Sequence, residues 1–341
     1  VLSHLKLDEH RLPQDGRFKI ETADDRVSFR VSILPVYDGE KAVLRLLPEG
    51  SKGFTLEGLG FHGEQLEIIQ KGIRKTTGMI LATGPTGSGK TTTLYTMMDI
   101  LNHPEVNIST IEDPIEYRMP RINQTQVRPD IGFSFANGLR SLLRQDPDIV
   151  MVGEIRDNET AELAINASLT GHLVLSTLHT NSAAGSLPRL TEMKVEPFLI
   201  ASTVNVIVAQ RLVRRLCKTS KTYSVTPEQL KEWDENLDTE RIMDALKKEK
   251  IVKPNAGWKD VSFYHPEPNA DCPDGYQGRI GIHETLHVTE TIKELINANA
   301  TADKIAHQAR KEGMLTMFED GIIKAAQGIT SIEEIIRVSS E

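Results

Sequence analysis

The fold is decided by one stretch of sequence, Gly78-Met79-Ile80-Leu81-Ala82-Thr83-Gly84-Pro85-Thr86-Gly87-Ser88-Gly89-Lys90-Thr91-Thr92-Thr93-Leu94. Its first six residues form an apolar run that predicts a buried strand, and the spacing of apolar residues from Lys90 onward predicts a helix. A strand, the pattern G-x-x-x-x-G-K-T and a helix together form a phosphate loop. In such a loop, backbone N–H groups surround phosphate oxygens, the lysine places a charge beside them, and the threonine hydroxyl ligates Mg²⁺. We therefore expect ATP with Mg²⁺ to bind a run of consecutive residues, Gly84, Pro85, Thr86, Gly87, Ser88, Gly89, Lys90, Thr91 and Thr92.

Three further apolar runs follow the phosphate loop, at residues 106–111, 149–152 and 172–178. Segments with helical spacing separate them. Strands that alternate with helices indicate a mostly parallel sheet with helices on both faces, which is an α/β fold.

Acidic residues follow two of these predicted strands. Glu112 comes directly after the first run, and Glu154 follows the second after one glycine. Mg²⁺ prefers oxygen ligands, often through water, and hydrolysis needs a group that orients the attacking water. We expect Glu112 and Glu154 to divide these tasks. The alternative is that such an acid lies exposed in a loop and takes no part in catalysis. This alternative carries more weight for Asp113 and Glu116.

Two histidines bracket the predicted strand at 172–178. A single histidine in a protein is more often structural than catalytic. One at each end of a buried strand, His172 and His179, raises the odds of a role in sensing phosphate, because a neutral imidazole can hydrogen bond to phosphate or to the water-orienting acid.

Composition limits the class of protein. The chain has 341 residues, a net charge of −8, 39% hydrophobic and 26% charged residues, which is typical of a soluble globular protein. The acidic balance argues against a protein built mainly to coat nucleic acid, although a local basic groove stays possible. Two cysteines do not make a disulfide framework, so a reducing compartment is expected. We find no apolar segment long enough to span a membrane and no signal peptide.

Changes in pattern along the chain suggest four parts. Residues 1–53 alternate like a strand-rich unit, 54–215 carry the phosphate loop, 216–287 are rich in Lys, Glu and Asp, and 288–341 have helical spacing. Helices are expected at 227–236 and 238–248 within the third part. Because the chain begins at Val1 without Met, we expect a fragment that lacks upstream domains.

With these elements in order, the chain resembles the secretion-type traffic ATPases, the hexameric motors of type II secretion and type IV pilus assembly. The resemblance rests on four motifs, at 84–93 (Walker A), 111–117 (the Asp box), 143–157 (Walker B) and 171–181 (the His box). It implies a P-loop RecA-like parallel-sheet core, a small amino-terminal PAS-like α+β domain and a helical carboxy-terminal region.

The resemblance also implies roles for individual residues. Glu112 matches the acid that positions water, Glu154 the acid that works around Mg²⁺, and His179 the histidine that approaches the γ-phosphate, while His172 matches the first His-box position. In the amino-terminal unit, Arg30 and Arg45 match two arginines that reach the nucleotide; Arg17 also matches the family but is given no role beyond contact.

The chain departs from the family at its cysteines. Zinc-binding members carry two C-x-x-C pairs, which bind Zn²⁺ tetrahedrally. Here Ser220 stands where the second cysteine of a C-x-x-C pair beginning at Cys217 would be, and Cys272 stands alone. Two thiolates without nearby partners make a poor site, so we expect no zinc, and a subdomain held by packing or partly disordered.

The resemblance implies an ATP-hydrolysing homo-hexamer that powers pilus assembly or type II secretion, because retraction motors generally lack the long segment after the His box. It would lie in the cytoplasm at the inner membrane, docked on a platform protein, with membrane association only through partners and no nucleic acid bound. Two alternatives stay open: a nucleic-acid translocase or helicase on a related core, and a nucleotide-gated assembly module that does not hydrolyse ATP.

Overall fold

A computed structural model of the protein describes residues 2, 3, 5–21, 26–49, 54–217, 221–226, 228, 230, 231, 233 and 237–339. The strands are β1 Gln14–Glu21, β2 Arg26–Val36, β3 Gly39–Glu49, β4 Gly78–Thr83, β5 Ile108–Glu112, β6 Ile122–Gln126, β7 Ile149–Val152, β8 Leu173–Leu178, β9 Val204–Leu216, β10 Lys221–Tyr223, β11 Phe263–His265 and β12 Tyr276–His287. The helices of the first part of the chain are α1 Leu56–Leu59, α2 Gly63–Ile73, α3 Lys90–Leu101, α4 Phe135–Leu142, α5 Asn158–Leu169, α6 Ser186–Glu192 and α7 Pro197–Thr203. Those of the second part are α8 Thr239–Lys248, α9 Glu290–Asn297, α10 Ala302–Lys311, α11 Met317–Ala326 and α12 Ile332–Ser339. Short 3₁₀ turns lie at Pro129–Ile131 and Trp258–Asp260.

The amino-terminal unit is a three-stranded antiparallel sheet in the order β1-β2-β3. Its register pairs Arg17 with Arg30 and Arg30 with Arg45. Cross-strand partners point to the same face of a sheet, so these three side chains form one row, here called the arginine row. Among the described residues before Thr55 there are strands and no helix, so the helices of an α+β domain are not in this part of the structure.

The central sheet has seven strands in the order β12-β9-β4-β8-β7-β5-β6. Every pair from β9 to β6 is parallel, and β12 runs antiparallel to β9 at one edge. This confirms the predicted mostly parallel α/β sheet. Strands β4, β5, β7 and β8 are buried at every residue, because helices cover both faces.

Each face of the sheet has its own apolar core. One core joins β4 residues Met79 and Leu81 to α5, and the other joins Ile80 and Ala82 to α2 and α3. Side chains alternate between faces along a strand, so a continuous apolar run is what a strand buried on both faces requires. No helix in the described part of the chain is long and apolar enough to cross a membrane.

The segment between β9 and β12, residues 217–275 and here called the insertion, packs on the carboxy-terminal helices. Ile242 and Leu246 of α8 and Phe263 of β11 share an apolar cluster with Ile322 of α11 and Ile335 of α12. Packing therefore holds the described part of the insertion together. The helix expected at 227–236 lies largely outside the described residues. Strand β12, assigned to the third sequence part, belongs to the central sheet, and the division of the chain into four domains stays a prediction.

The expectation that the two cysteines lack nearby partners is wrong. Cys217 and Cys272 form a disulfide, with their Cα atoms 6.8 Å apart. Antiparallel pairing of β9 with β12 brings the two ends of the insertion together, and Cys217 N–H donates to the Gly275 carbonyl at 3.0 Å. Sequence spacing could not show this because 55 residues separate the cysteines. The absence of zinc stays a prediction.

A buried ionic network ties the insertion to the core. The two ring nitrogens of His62 contact Glu249 Oε1 at 2.5 Å and Asp320 Oδ1 at 2.6 Å. Lys324 Nζ donates to Asp320 Oδ2 at 2.5 Å and to the Gly281 carbonyl at 2.7 Å. Burial lowers the pKa of His62, but the hydrogen bonds to Asp320 and Glu249 outweigh it and raise that pKa to about 9.

We predict that this network makes stability depend on pH between 6.5 and 9. Because the pKa of His62 in the folded chain lies above its ordinary value of 6.5, its charged form stabilises the fold fully below pH 6.5, and this stabilisation is lost as pH rises through about 9. The free energy of unfolding, measured by urea titration, should fall by up to about 3 kcal/mol across this range. The His62→Gln variant should lack that slope, and His103→Gln, an exposed control, should keep it. An equal slope in all three proteins would contradict the prediction.

Candidate nucleotide site

The phosphate loop, residues 84–91, leaves the carboxyl end of β4 and enters α3. Gly84 has φ of +140°, and a Cβ there would lie 2.4 Å from the Gln210 carbonyl oxygen, so only glycine fits. Gly87 has φ of +80°, and a Cβ there would meet nothing within 4 Å. The loop is therefore closely packed where it leaves the strand and open at its middle.

The loop presents hydrogen-bond donors where an anion would bind. Gly89 caps α3 without a side-chain hydrogen bond, so the first turn of this 12-residue helix offers its N–H groups and the positive end of its dipole. Ser88 Oγ is buried and has no hydrogen-bond partner in the described part of the chain. These features fit phosphate groups.

Lys90 lies over the loop. Its Nζ donates to the carbonyls of Gly84 at 2.8 Å and Pro85 at 3.0 Å. Burial lowers the pKa of Lys90, and the negative charge of Glu154 opposes that effect. Thr91 and Thr92 follow in the first turn of α3, where both are half-buried.

Glu112 ends β5 as a buried carboxylate, only 2% exposed. Its Oε1 accepts hydrogen bonds from Thr110 Oγ1 at 2.6 Å and Gln124 Nε2 at 3.2 Å, and its Oε2 accepts one from the Tyr95 hydroxyl of α3. Burial raises the pKa of Glu112, although these hydrogen bonds act in the opposite direction. The carboxylate is therefore fixed in position and more basic than an exposed one.

Glu154 and His179 meet beside the loop. They follow the neighbouring parallel strands β7 and β8, whose carboxyl ends lie on the same side of the sheet. His179 Nε2 lies 3.4 Å from Glu154 Oε2, which also contacts Arg156 Nε at 2.6 Å. Arg156 was missed from the sequence, although it lies inside the Walker B segment.

His172 lies at the opposite end of β8 from His179, on the side of the sheet where the parallel strands begin. It precedes β8, and its Nδ1 is 3.0 Å from the Ala167 carbonyl of α5. The hypothesis that both histidines serve the phosphate site is therefore wrong for His172, because the two ends of a six-residue strand lie roughly 20 Å apart.

The arginine row approaches the site at its Arg17 end. Burial lowers the pKa of Arg17, the neighbouring Arg30 lowers it further, and Glu116, Tyr95 and Glu112 raise it. Arg17 therefore lies within the electrostatic range of Glu116 and Glu112, Arg30 is its cross-strand partner, and Arg45 lies one strand further away. The charges of Glu112 and Glu116 thus act on Arg17, to which the sequence gave no role beyond contact. Asp113, next to Glu112, is exposed.

The sequence profile of the family described as type II/IV secretion system protein matches residues 1–337. The chain belongs to this family. The chain is 44% identical over its full length to the type II secretion system protein E of Xanthomonas campestris pv. campestris, of which it covers 57%. It is also 44% identical to the type IV pilus assembly ATPase PilB of Acinetobacter baylyi, of which it covers 56%. The chain thus spans little more than half the length of these curated relatives.

A solved structure of similar fold is that of the pilus retraction motor PilT with bound ADP. It matches with a TM-score of 0.67 and 28% identity, over 97% of this chain and 78% of that one. Nearly the whole chain therefore shares its fold with this solved structure. The recognition of a secretion-type traffic ATPase from its four motifs is confirmed.

Proposed function

We propose that the chain binds MgATP on the phosphate loop and hydrolyses it, with Glu112 orienting the attacking water. The observation that carries this proposal is the buried Glu112 carboxylate, held by three hydrogen bonds, one of them from the helix that begins with Lys90. A fixed carboxylate of raised pKa is suited to accept a proton from water.

The metal would be held by the Thr91 hydroxyl and, through water, by Glu154. Thr91 adjoins Lys90, and the charge of Glu154 already acts on Lys90, so an oxygen donor set lies at the loop. When bound there, Mg²⁺ supplies positive charge that neutralises the phosphate oxygens. His179, 3.4 Å from Glu154, would contact the γ-phosphate region.

The arginine row would couple the nucleotide to motion. Guanidinium groups are always charged and bind phosphate in a planar, bidentate way. ATP would draw the amino-terminal sheet toward the core through Arg30 and Arg45, and ADP, with one phosphate fewer, would hold it less. A ligand shifts such an equilibrium only by its difference in affinity for the two states.

The motor would be a homo-hexamer in the cytoplasm, docked on an inner-membrane platform protein of a pilus or type II secretion system. The relatives are named as components of both systems. Leu44 and Leu46 of β3 are each 56% exposed on the face opposite the arginine row, which leaves an apolar surface for a neighbouring subunit. Repeated head-to-tail contacts close into a ring.

Substitutions at the site should separate binding from hydrolysis. The Glu112→Gln variant should bind ATP like the wild type but hydrolyse it at least about 100-fold more slowly, because it loses the proton acceptor. The Lys90→Ala variant should weaken binding itself, because it loses the charge beside the phosphates. Calorimetry with ATP and a phosphate-release assay measure both quantities, and Glu105→Gln, an exposed acid, is the control.

Each other outcome of that experiment has a meaning. Wild-type turnover in Glu112→Gln would contradict the role of Glu112. Binding without turnover in the wild type would indicate a nucleotide-gated assembly module, and turnover stimulated by DNA would indicate a translocase.

Alanine at Arg17, Arg30 or Arg45 should lower kcat/KM for ATP by at least about tenfold, because each removes a fixed positive charge from the phosphates. The Lys41→Ala variant, which removes an exposed cation near the tip of β3, should leave it unchanged. Steady-state kinetics of the four variants test this. Equal values for all would show that the arginine row does not act on the nucleotide.

The ring should appear in solution when a non-hydrolysable ATP analogue is bound. Its mass, measured by light scattering, should be six times the 38.0 kDa of one chain. A Leu44→Glu, Leu46→Glu double variant should assemble less, because it charges the apolar surface. A chain that binds the analogue and stays monomeric would contradict the hexamer proposal.

A further inference from the structure

The phosphate loop is held from outside by one side chain of the neighbouring strand. Gln210 of β9 is buried, with 2% of its surface exposed. Its Nε2 donates to the Ser88 carbonyl at 2.7 Å, and its Oε1 accepts a hydrogen bond from Thr93 Oγ1 at 2.9 Å. One amide thus contacts both the end of the loop and the first turn of α3.

The backbone of Gln210 also contacts the start of the loop. A Cβ on Gly84 would lie 2.4 Å from the Gln210 carbonyl oxygen, and a Cβ on Gly89 would lie 3.1 Å from Gln210 Nε2. Gln210 therefore contacts the loop at both its beginning and its end.

These contacts fix the direction of a peptide group. In a planar trans peptide the C=O and N–H point in opposite directions. Because Gln210 holds the Ser88 carbonyl on the β9 side, the N–H of Gly89 points away from β9. A carbonyl turned the other way would present a negative dipole to phosphate oxygens in place of a donor.

We infer that Gln210 is a positioning residue for the nucleotide phosphates, one that keeps the phosphate loop in its binding shape without touching the ligand. This inference rests on the proposed function, because it concerns how the same site binds ATP and ADP. A purely structural role would instead affect the stability of the sheet and leave the affinity of the folded protein unchanged.

The test compares the 341-residue wild type with three variants by calorimetry with MgADP and by ATP kinetics. Gln210→Ala loses both hydrogen bonds and should weaken ADP binding about tenfold and raise the KM for ATP similarly, with kcat changed by less than about threefold. Gln210→Glu keeps an acceptor for Thr93 but cannot donate to Ser88, so it should bind ADP at least as weakly as Gln210→Ala does. Thr93→Val loses one hydrogen bond at nearly constant volume and should weaken binding about threefold.

The matched control is Asn205→Ala, on the same strand at the end remote from the loop. This amide donates to the Thr77 carbonyl at 3.1 Å and accepts from Lys75 Nζ at 2.8 Å. Its loss should lower the melting temperature and leave ADP affinity unchanged.

The outcomes separate the inference from the function it rests on. A wild type that binds neither ADP nor ATP would contradict the proposed function itself. A wild type that binds, together with folded Gln210 variants of equal affinity, would overturn the inference alone. Should neither Gln210 variant fold, Thr93→Val decides, since equal affinity overturns the inference and weaker binding supports it.

Discussion

Parallel hydrogen bonding across β4, β8, β7 and β5 determines where the phosphate loop, the two candidate acids and His179 lie. Because parallel strands end at the same edge of a sheet, the phosphate loop after β4, His179 after β8, Glu154 after β7 and Glu112 at the end of β5 all lie along one side. The helices on both faces make the pairing hold, since they bury the strands completely. The pairing of the parallel strands brings the parts of the site together.

Much of this arrangement could be predicted from local sequence. An apolar run followed by a glycine-rich loop and a helix is a local pattern, and the structure reproduces it at β4 and α3. The positions of the acids at strand ends could also be predicted, because the carboxyl ends of parallel strands all lie on the same side of the sheet. The resemblance to the traffic ATPases suggested roles for individual residues. The family match confirms the resemblance, and with it the fold. Roles of single residues stay predictions.

What could not be predicted depends on contacts between segments far apart in sequence. The position of Arg17 follows from the pairing of β1 with β2, and nothing in residues 14–21 alone sets that register. Gln210 is one of several polar residues of β9, and only the packing of β9 against the loop shows what it binds. The pairing of Cys217 with Cys272 depends on β12 returning beside β9, which periodicity cannot show. The charge network around His62 joins three segments in the same way.

The place where the insertion joins the central sheet has a consequence for how proteins of this architecture can diverge. The chain leaves the central sheet after β9 and returns to it at β12, directly beside the point of departure, and the disulfide closes the gap. A segment whose two ends are already adjacent can grow or shrink at little entropic cost, because closure entropy rises only slowly with loop length. The insertion is therefore a place where residues can be added or lost across generations while the register of the sheet, and with it the edge that carries the phosphate loop, is preserved.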